Sequence, residues 1–166
     1  MAGTYAVFNK AERLEQLSAE VYRAAAEAFP AAPEAQLLKR LADEEDQHAV
    51  RIRLLASRYR HDSSLFQNTD FKLKALDALI LEAQGLKREI DAGRWKDDLP
   101  GLIARLAELE ARGESSHADL LAQGADPQVE GFFRRLAEQD RAHLEVLRGQ
   151  PIAESGDPAP PDPGNR

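Results

Sequence analysis

The chain has 166 residues, 43% of them hydrophobic and 31% charged, which fits one domain with a single core. It has no cysteine, so disulfides, iron–sulfur clusters, thiolate metal sites and a rubredoxin-type iron centre are excluded, and any bound metal must rest on oxygen and imidazole ligands. The net charge of −7 argues against nucleic acid and anionic lipid as partners and favours a cationic ligand.

Five helices are predicted in chain order, because Leu, Ala, Glu and Arg dominate and apolar residues recur at spacings of three and four. Proline and glycine residues set the helix ends. The predicted helices span residues 7–29, 33–59, 69–93, 98–123 and 126–149, with a polar connector over residues 61–69. Residues 150–166, rich in proline, are predicted to form a disordered tail. The sequence thus predicts one all-α domain over residues 1–149.

No segment of the sequence resembles a membrane anchor. The longest apolar runs, such as residues 5–8 and 78–81, fall far below the length of a membrane span or of a signal-peptide core. We therefore expect no membrane partner and a cytoplasmic location.

The second and fifth predicted helices are similar in sequence. A shift of 95 residues aligns QLLKRLADEEDQHAVRIR with GFFRRLAEQDRAHLEVLR without a gap and carries Glu45 onto Asp140. The same shift carries the first predicted helix onto the fourth, with Glu15 falling on Glu110. One helical hairpin therefore occurs twice, and the third helix, which has no counterpart, connects the two copies.

Three of the four histidines have an acidic residue three positions before them. The pairs are Glu45 with His48, Glu114 with His117, and Asp140 with His143. Residues three apart share a helix face, from which a carboxylate and an imidazole can hold one metal ion. The first and third pairs lie on the apolar faces of their helices and so point into the core. Buried carboxylates there require a compensating ligand.

Two more acids complete a metal-binding pattern. Each copy of the hairpin carries a glutamate 30 residues before its acid-x-x-His pair, Glu15 in the first copy and Glu110 in the second. The candidate ligands are therefore Glu15, Glu45, His48, Glu110, Asp140 and His143. Four carboxylates and two neutral imidazoles match a dinuclear site in a four-helix bundle, and four negative ligands balance two divalent ions.

These motifs resemble the ferritin-like superfamily, and more closely its rubrerythrin-type branch. The resemblance covers about residues 7–148 and rests on ERLEQLSAEVY, LADEEDQH and LAEQDRAH. It implies a ferritin-like four-helix bundle with a crossover helix and a di-iron carboxylate centre that oxidises ferrous iron or reduces peroxide or dioxygen. Two features depart from the family. Asp140 stands where the family has glutamate, and the sequence has no cysteine-ligated rubredoxin segment, so an external electron donor is required.

The resemblance also suggests a role for each candidate ligand. The acids that would bridge or chelate are Glu45 and Asp140, and the terminal acids are Glu15 and Glu110. The two histidines, His48 and His143, would each cap one iron. The expected cofactor is two iron ions, and zinc or manganese also suits these ligands. Tyr22 is expected chiefly as a core tyrosine, with a place beside the site as the alternative.

A second alignment uses the third helix, with Glu82 as first ligand and Glu114 with His117 as its pair. Topology favours the repeat, because its helices run up, down, up, down and up. The second and fourth helices are then parallel, as a ferritin-like bundle with one long crossover requires. Under the repeat alignment, Glu114 and His117 lie near the site and stay open as secondary ligands.

The sequence therefore predicts a di-iron oxidoreductase, either a ferroxidase or a rubrerythrin-like peroxidase, with metal ions, dioxygen or peroxide and an external reductant as partners. The alternative from another class is a metal-free helical bundle that acts as a binding or scaffold module. A hydroxylase acting on an organic substrate is a third hypothesis, for which the sequence offers no pocket. The amphipathic crossover helix and the family's tendency to pair predict a homodimer.

Overall fold

A computed structural model describes residues 3–59, 61, 65–66, 69–121 and 126–149. These residues form five helices and no strand: α1 (Gly3–Ala28), α2 (Glu34–Tyr59), α3 (Thr69–Asp91), α4 (Leu99–Leu121) and α5 (Pro127–Leu147). The all-α prediction is confirmed for this part of the chain. The predicted tail over residues 150–166 lies outside the described residues. None of the five helices combines the length and hydropathy that a bilayer span needs.

The helix ends follow the expected sequence signals. The carboxylate of Asp126 caps α5 by accepting a 2.8 Å hydrogen bond from the Gln128 amide, and Pro127 occupies the first turn, where its missing N–H is not needed. Gly93, with φ of 74°, follows α3 in a left-handed conformation that a side chain would strain. The start of α1 differs from the prediction and lies four residues earlier, at Gly3, and Thr4 in this added turn is buried.

Helix directions can be read from contacts between side chains. Lys10 of α1 pairs with Asp77 of α3, and Gly3 lies beside Thr69 at the start of α3, so α1 and α3 are parallel. Tyr59 at the end of α2 donates a 3.0 Å hydrogen bond to Asp126 before α5, which makes these two helices antiparallel at that end of the bundle.

Side-chain contacts also give the relative direction of α1 and α4. Tyr22 of α1 contacts Glu110 of α4, while the earlier Glu15 contacts the later His117. These helices are therefore antiparallel, and α4 runs in the same direction as α2, which is the antiparallel partner of α1 in the first hairpin. The directions are compatible with the predicted bundle.

The connector between α2 and α3 is not wholly polar, contrary to the prediction. Leu65 and Phe66 are buried, and the Phe66 ring lies with its centroid 5.3 Å from Phe8 and 6.2 Å from Phe133. These aromatic contacts close one end of the core, where burial of apolar rings contributes more than local polarity. His61, in the same connector, is exposed as expected.

The apolar stripe on α3 is covered inside the chain. Its members Leu76, Leu79, Ala83, Leu86 and Ile90 are buried, and α3 packs mainly against α1. This stripe was the physical reason for expecting a homodimer. The homodimer stays a prediction, but it no longer follows from an uncovered face of α3.

Candidate metal centre

All six candidate ligands are buried at the centre of the bundle. They come from α1, α2, α4 and α5, and none keeps more than 8% of its surface exposed: Glu15, Glu45, His48, Glu110, Asp140 and His143. The 3.6-residue period produces this placement, because buried Leu41 and Leu136 precede Glu45 and Asp140 by one turn on the same helix faces. The six candidate ligands are therefore surrounded by apolar residues.

The six side chains form two overlapping groups of four. In each group, one ligand atom from every residue lies within 4.8 Å of the others. The first group is Glu15, Glu45, His48 and Asp140, and the second is Glu45, Glu110, Asp140 and His143. Glu45 and Asp140 belong to both groups. Two neighbouring ions would thus share two carboxylates, and each ion would also have one further carboxylate and one imidazole.

Both imidazoles present Nδ1 to the carboxylates. The Nδ1 atom of His48 lies 3.3 Å from Oε2 of Glu15 and 3.2 Å from Oε2 of Glu45. The Nδ1 atom of His143 lies 2.8 Å from Oε1 of Glu45 and 3.5 Å from Oε1 of Glu110. The two rings are stacked, with centroids 5.6 Å apart and planes 11° from parallel. Each ring is therefore turned so that the same nitrogen is available to a metal ion.

His117 is a further member of the cluster that the repeat alignment left open. It is 1% exposed, its Nδ1 atom contacts Oδ2 of Asp140, and its Nε2 atom lies 3.2 Å from Oε1 of Glu15. The second contact is too poorly aligned to be a hydrogen bond, so Nε2 has no hydrogen-bond partner among the described residues. His117 thus contacts one acid from each half of the chain.

Tyr22 and His117 occupy equivalent positions in the repeat, seven residues after Glu15 and Glu110 respectively. The Tyr22 hydroxyl donates to Oε1 of Glu110, and His117 contacts Glu15. Each therefore contacts the first acid of the other hairpin. Sequence analysis favoured a plain core role for Tyr22, and the structure places its hydroxyl at the edge of the acid cluster. The spacing of seven, shared by both hairpins, was the available signal.

Glu44 is a member of the site that the sequence analysis did not identify. It is half-buried, and its Oε2 atom lies 2.7 Å from Nε2 of His143. The run Asp43 to Asp46 gave no sign of this, because neighbouring acids look alike until the position of α5 is known. A buried imidazole that uses one nitrogen in the site still needs a partner for the other, and that requirement was the only local hint.

The alternative ligands Glu82 and Glu114 are not in either group of four. Glu82 pairs with Arg105 at 3.7 Å and also with Arg112, both on α4. Glu114 is half-buried and makes no ion pair within the described residues. Of the three residues that the second alignment names, only His117 therefore lies in the cluster.

The pKa values of the buried acids reflect their burial and their mutual repulsion. Burial, and then the charges of Glu15 and Glu110, hold the pKa of Glu45 well above its usual range. Burial would also raise the pKa of Glu15, but hydrogen bonding with Glu45 and the nearby imidazoles of His117 and His48 outweigh it and lower that pKa. The pKa values of these two neighbouring acids are therefore shifted in opposite directions.

The histidines and the aspartate complete this charge pattern. Burial opposes protonation of both imidazoles, yet nearby carboxylates raise the pKa of His117 and of His143 to about 10. Burial raises the pKa of Asp140 to about 6 against the opposing effect of His117. Protons therefore occupy the cluster where cations would otherwise balance the acids.

The donor set fits a pair of divalent transition-metal ions. It consists of oxygen and imidazole nitrogen, which suit iron, manganese and zinc, and it needs positive charge because four acids are buried together. Comparison with known proteins adds no relative: no family model, no curated protein and no solved structure matches the chain. The cluster itself must therefore carry the functional argument.

Proposed function

We propose that the chain binds two metal ions in a dinuclear carboxylate centre. The observation that carries this proposal is that two groups of four ligands share Glu45 and Asp140. In this assignment the two shared acids would help to hold both ions. Glu15 with His48 completes one end, and Glu110 with His143 completes the other.

We further propose that the metal is iron and that the protein is a ferritin-like oxidoreductase of the rubrerythrin type. The duplicated hairpin, the helix directions and the reciprocal contacts of Tyr22 and His117 support this assignment, because they give the bundle the internal pseudo-symmetry that a duplicated dinuclear site needs. When bound, two ferrous ions supply the two electrons that reduce peroxide, with two protons, to two water molecules. An external donor then returns the electrons.

The residues of the chain prepare the site for this chemistry. Tyr22 fixes Glu110 by its hydrogen bond, Glu44 orients the His143 ring, and His117 contacts Asp140 and Glu15. Preorganised groups of this kind hold ligand geometry without rearrangement during reaction. The surrounding leucines keep bulk water out, which strengthens the electrostatic interactions within the site.

The space beside the cluster favours a small substrate. A cavity of about 20 Å³ between α1 and α4 is bordered by Ser18 and Gly113 and reaches Glu110 and His117. Such a volume holds about one water-sized molecule. It suits dioxygen or peroxide and argues against the organic substrate that a hydroxylase would need.

Ferrous titration tests the proposal. Under anaerobic conditions the wild type should saturate near two ions per chain, and the double variant His48→Ala, His143→Ala should lose this binding. His61→Ala is the matched control, because His61 is exposed and makes no contact with the cluster. Reduced, iron-loaded protein should then consume peroxide when supplied with an electron donor. Equal binding by the wild type and the double variant would refute the site.

The metal-free alternative is a helical bundle that acts as a binding or scaffold module. Metal analysis of protein purified without chelator, followed by the same titration, separates the two hypotheses. A chain that neither retains nor takes up divalent metal would support the scaffold, with the protonated cluster as a structural feature of the core.

A further inference from the structure

Away from the acid cluster, the outer surface of α2 and α5 contains a groove of about 590 Å³. It lies between the last three turns of α2 and the first three turns of α5. Its polar walls include the side chains of Arg51, Arg58 and Arg135. Its volume falls in the range of small-molecule sites, roughly 300 to 1,000 Å³.

The groove has an apolar floor. Leu55 and Leu136 are buried there, and Phe132 is partly buried beside them. Leu54 forms part of the wall and is 61% exposed. A ligand with a hydrocarbon part would cover this leucine and remove the floor from water.

The three arginines of the groove have no carboxylate partner among the described residues, and no acidic residue lines the groove there. Other arginines of the same two helices are paired: Arg53 with Glu12, Arg134 with Glu130 and Arg141 with Glu145. In a chain with a net charge of −7, three unpaired guanidinium groups around one concavity form a local site for an anion.

We propose that this groove binds a free amphipathic anion, a carboxylate on an aliphatic chain. The chain lies on the floor of Leu55, Phe132 and Leu136, and the carboxylate accepts hydrogen bonds from the arginines. A concave site with an apolar floor suits a single molecule, whereas a bilayer surface attracts larger clusters of about four to eight basic residues. The proposal is independent of the metal centre.

Calorimetry with decanoate tests the proposal on the full-length protein. Decanoate should bind, while decanol, which has the chain without the charge, and acetate, which has the charge without the chain, should each bind at least tenfold more weakly. Arg51→Gln and Arg135→Gln should each weaken decanoate binding by about tenfold. Arg88→Gln removes the same charge from an exposed site on α3 and should leave the affinity unchanged.

Gly131→Leu provides a steric test. Gly131 lines the groove, and an added Cβ would meet only Arg135 Nη1, at an ordinary 3.7 Å. A leucine there fills the groove without disturbing the helix, since leucine favours helix more than glycine does. The variant should keep its helical circular dichroism and its metal uptake and should lose decanoate binding.

Three results would overturn the assignment. Equal binding of decanol and decanoate, with no effect of the arginine variants, would show that the groove binds the hydrocarbon chain without recognising the carboxylate. Binding to phosphatidylglycerol vesicles without binding of free decanoate would make it a membrane-facing surface. A dimer in light scattering that Gly131→Leu dissociates, again without decanoate binding, would make it an interface between two copies of the chain.

Discussion

The Nε2 atom of His143 lies 2.7 Å from Oε2 of Glu44, on the side of the ring opposite to Nδ1. This contact fixes which nitrogen is available to the acid cluster, because Nδ1 faces Glu45 at 2.8 Å. Glu44 is half-buried and also lies near Arg40, at 3.7 Å, so the carboxylate connects a surface arginine to a buried histidine. Such a partner orients a metal-binding imidazole and increases its basicity.

Removal of the Glu44 charge should therefore weaken metal binding without removing a ligand. For Glu44→Gln we expect affinity for ferrous or zinc ions to fall by about 10- to 100-fold, the usual effect of losing such a partner. Competition with a coloured chelator measures the change. Asp43→Asn is the matched control, because it removes an adjacent exposed charge that pairs with Arg23 instead. Equal effects of the two variants would show that only net surface charge matters.

The hydrogen bond from Tyr22 to Glu110 should stabilise the metal-free protein. Tyr22→Phe leaves the buried Glu110 carboxylate with one donor fewer, which should lower the free energy of unfolding by about 1–3 kcal/mol. Urea unfolding of metal-free protein measures this change. Tyr5→Phe is the control, since Tyr5 is 55% exposed, and it should unfold like the wild type. A metal ion bound to Glu110 should reduce this loss of stability. Unchanged stability of metal-free Tyr22→Phe would show that the hydrogen bond to Glu110 does not stabilise the fold.

The stability of the metal-free protein should fall as the pH rises. The pKa of His117 and of His143 is raised to about 10 in the folded chain from an ordinary value of 6.5. Their protonation stabilises the folded state fully below about pH 6.5, and this contribution is lost as the pH rises through about 10. The melting temperature should therefore decrease over this range. The slope should become shallower in His143→Gln and stay the same in His61→Gln.

Metal binding should show the opposite dependence on pH. Zinc requires neutral imidazole and ionised carboxylate, so it must displace the proton held by His143, and the raised pKa of Glu45 acts in the same direction. Zinc affinity should increase with pH, and binding should release protons, which calorimetry in buffers of different ionisation enthalpy counts. Zinc is used because it has no redox chemistry of its own. Proton uptake on binding would be incompatible with the proposed ligand states.

The positions that could be predicted from sequence are those fixed by helical periodicity. Glu15 and Glu110 lie on apolar faces, and the repeat places them at equal distances before Glu45 and Asp140, so their convergence in the core follows from local pattern. The helix ends at Pro30 and at Asp126 were visible for the same reason, since one residue type decides the local backbone geometry.

Positions that depend on a neighbouring helix could not be predicted in the same way. Glu44 and Asp43 look alike in sequence, and only the register of α5 against α2 gives Glu44 a histidine partner. Phe66 lies in a segment whose other residues are mostly polar, so its burial depends on Phe8 and Phe133, which are distant in sequence. Such contacts are set by tertiary packing and have no periodic signal.

The two alignments of the second half can be separated by a pair of matched substitutions. Glu110→Gln and Glu82→Gln each remove one charge and keep the side-chain volume, but Glu110 lies in the second group of four ligands and Glu82 pairs with Arg105 and Arg112. Metal that binds only the folded state raises the melting temperature, and a lost ligand reduces that rise. Anaerobic melts with and without ferrous iron should show a much smaller rise for Glu110→Gln.

Glu82→Gln should keep the full metal-dependent rise, with at most a small loss of stability in both states, because its ion pairs with arginine are partly exposed. Without metal, Glu110→Gln should change stability little, since it removes both the repulsion among four buried carboxylates and the attraction between Glu110 and protonated His143. The opposite result, in which Glu82→Gln loses the metal-dependent rise while Glu110→Gln keeps it, would transfer the second half of the site to α3 and to Glu114 with His117.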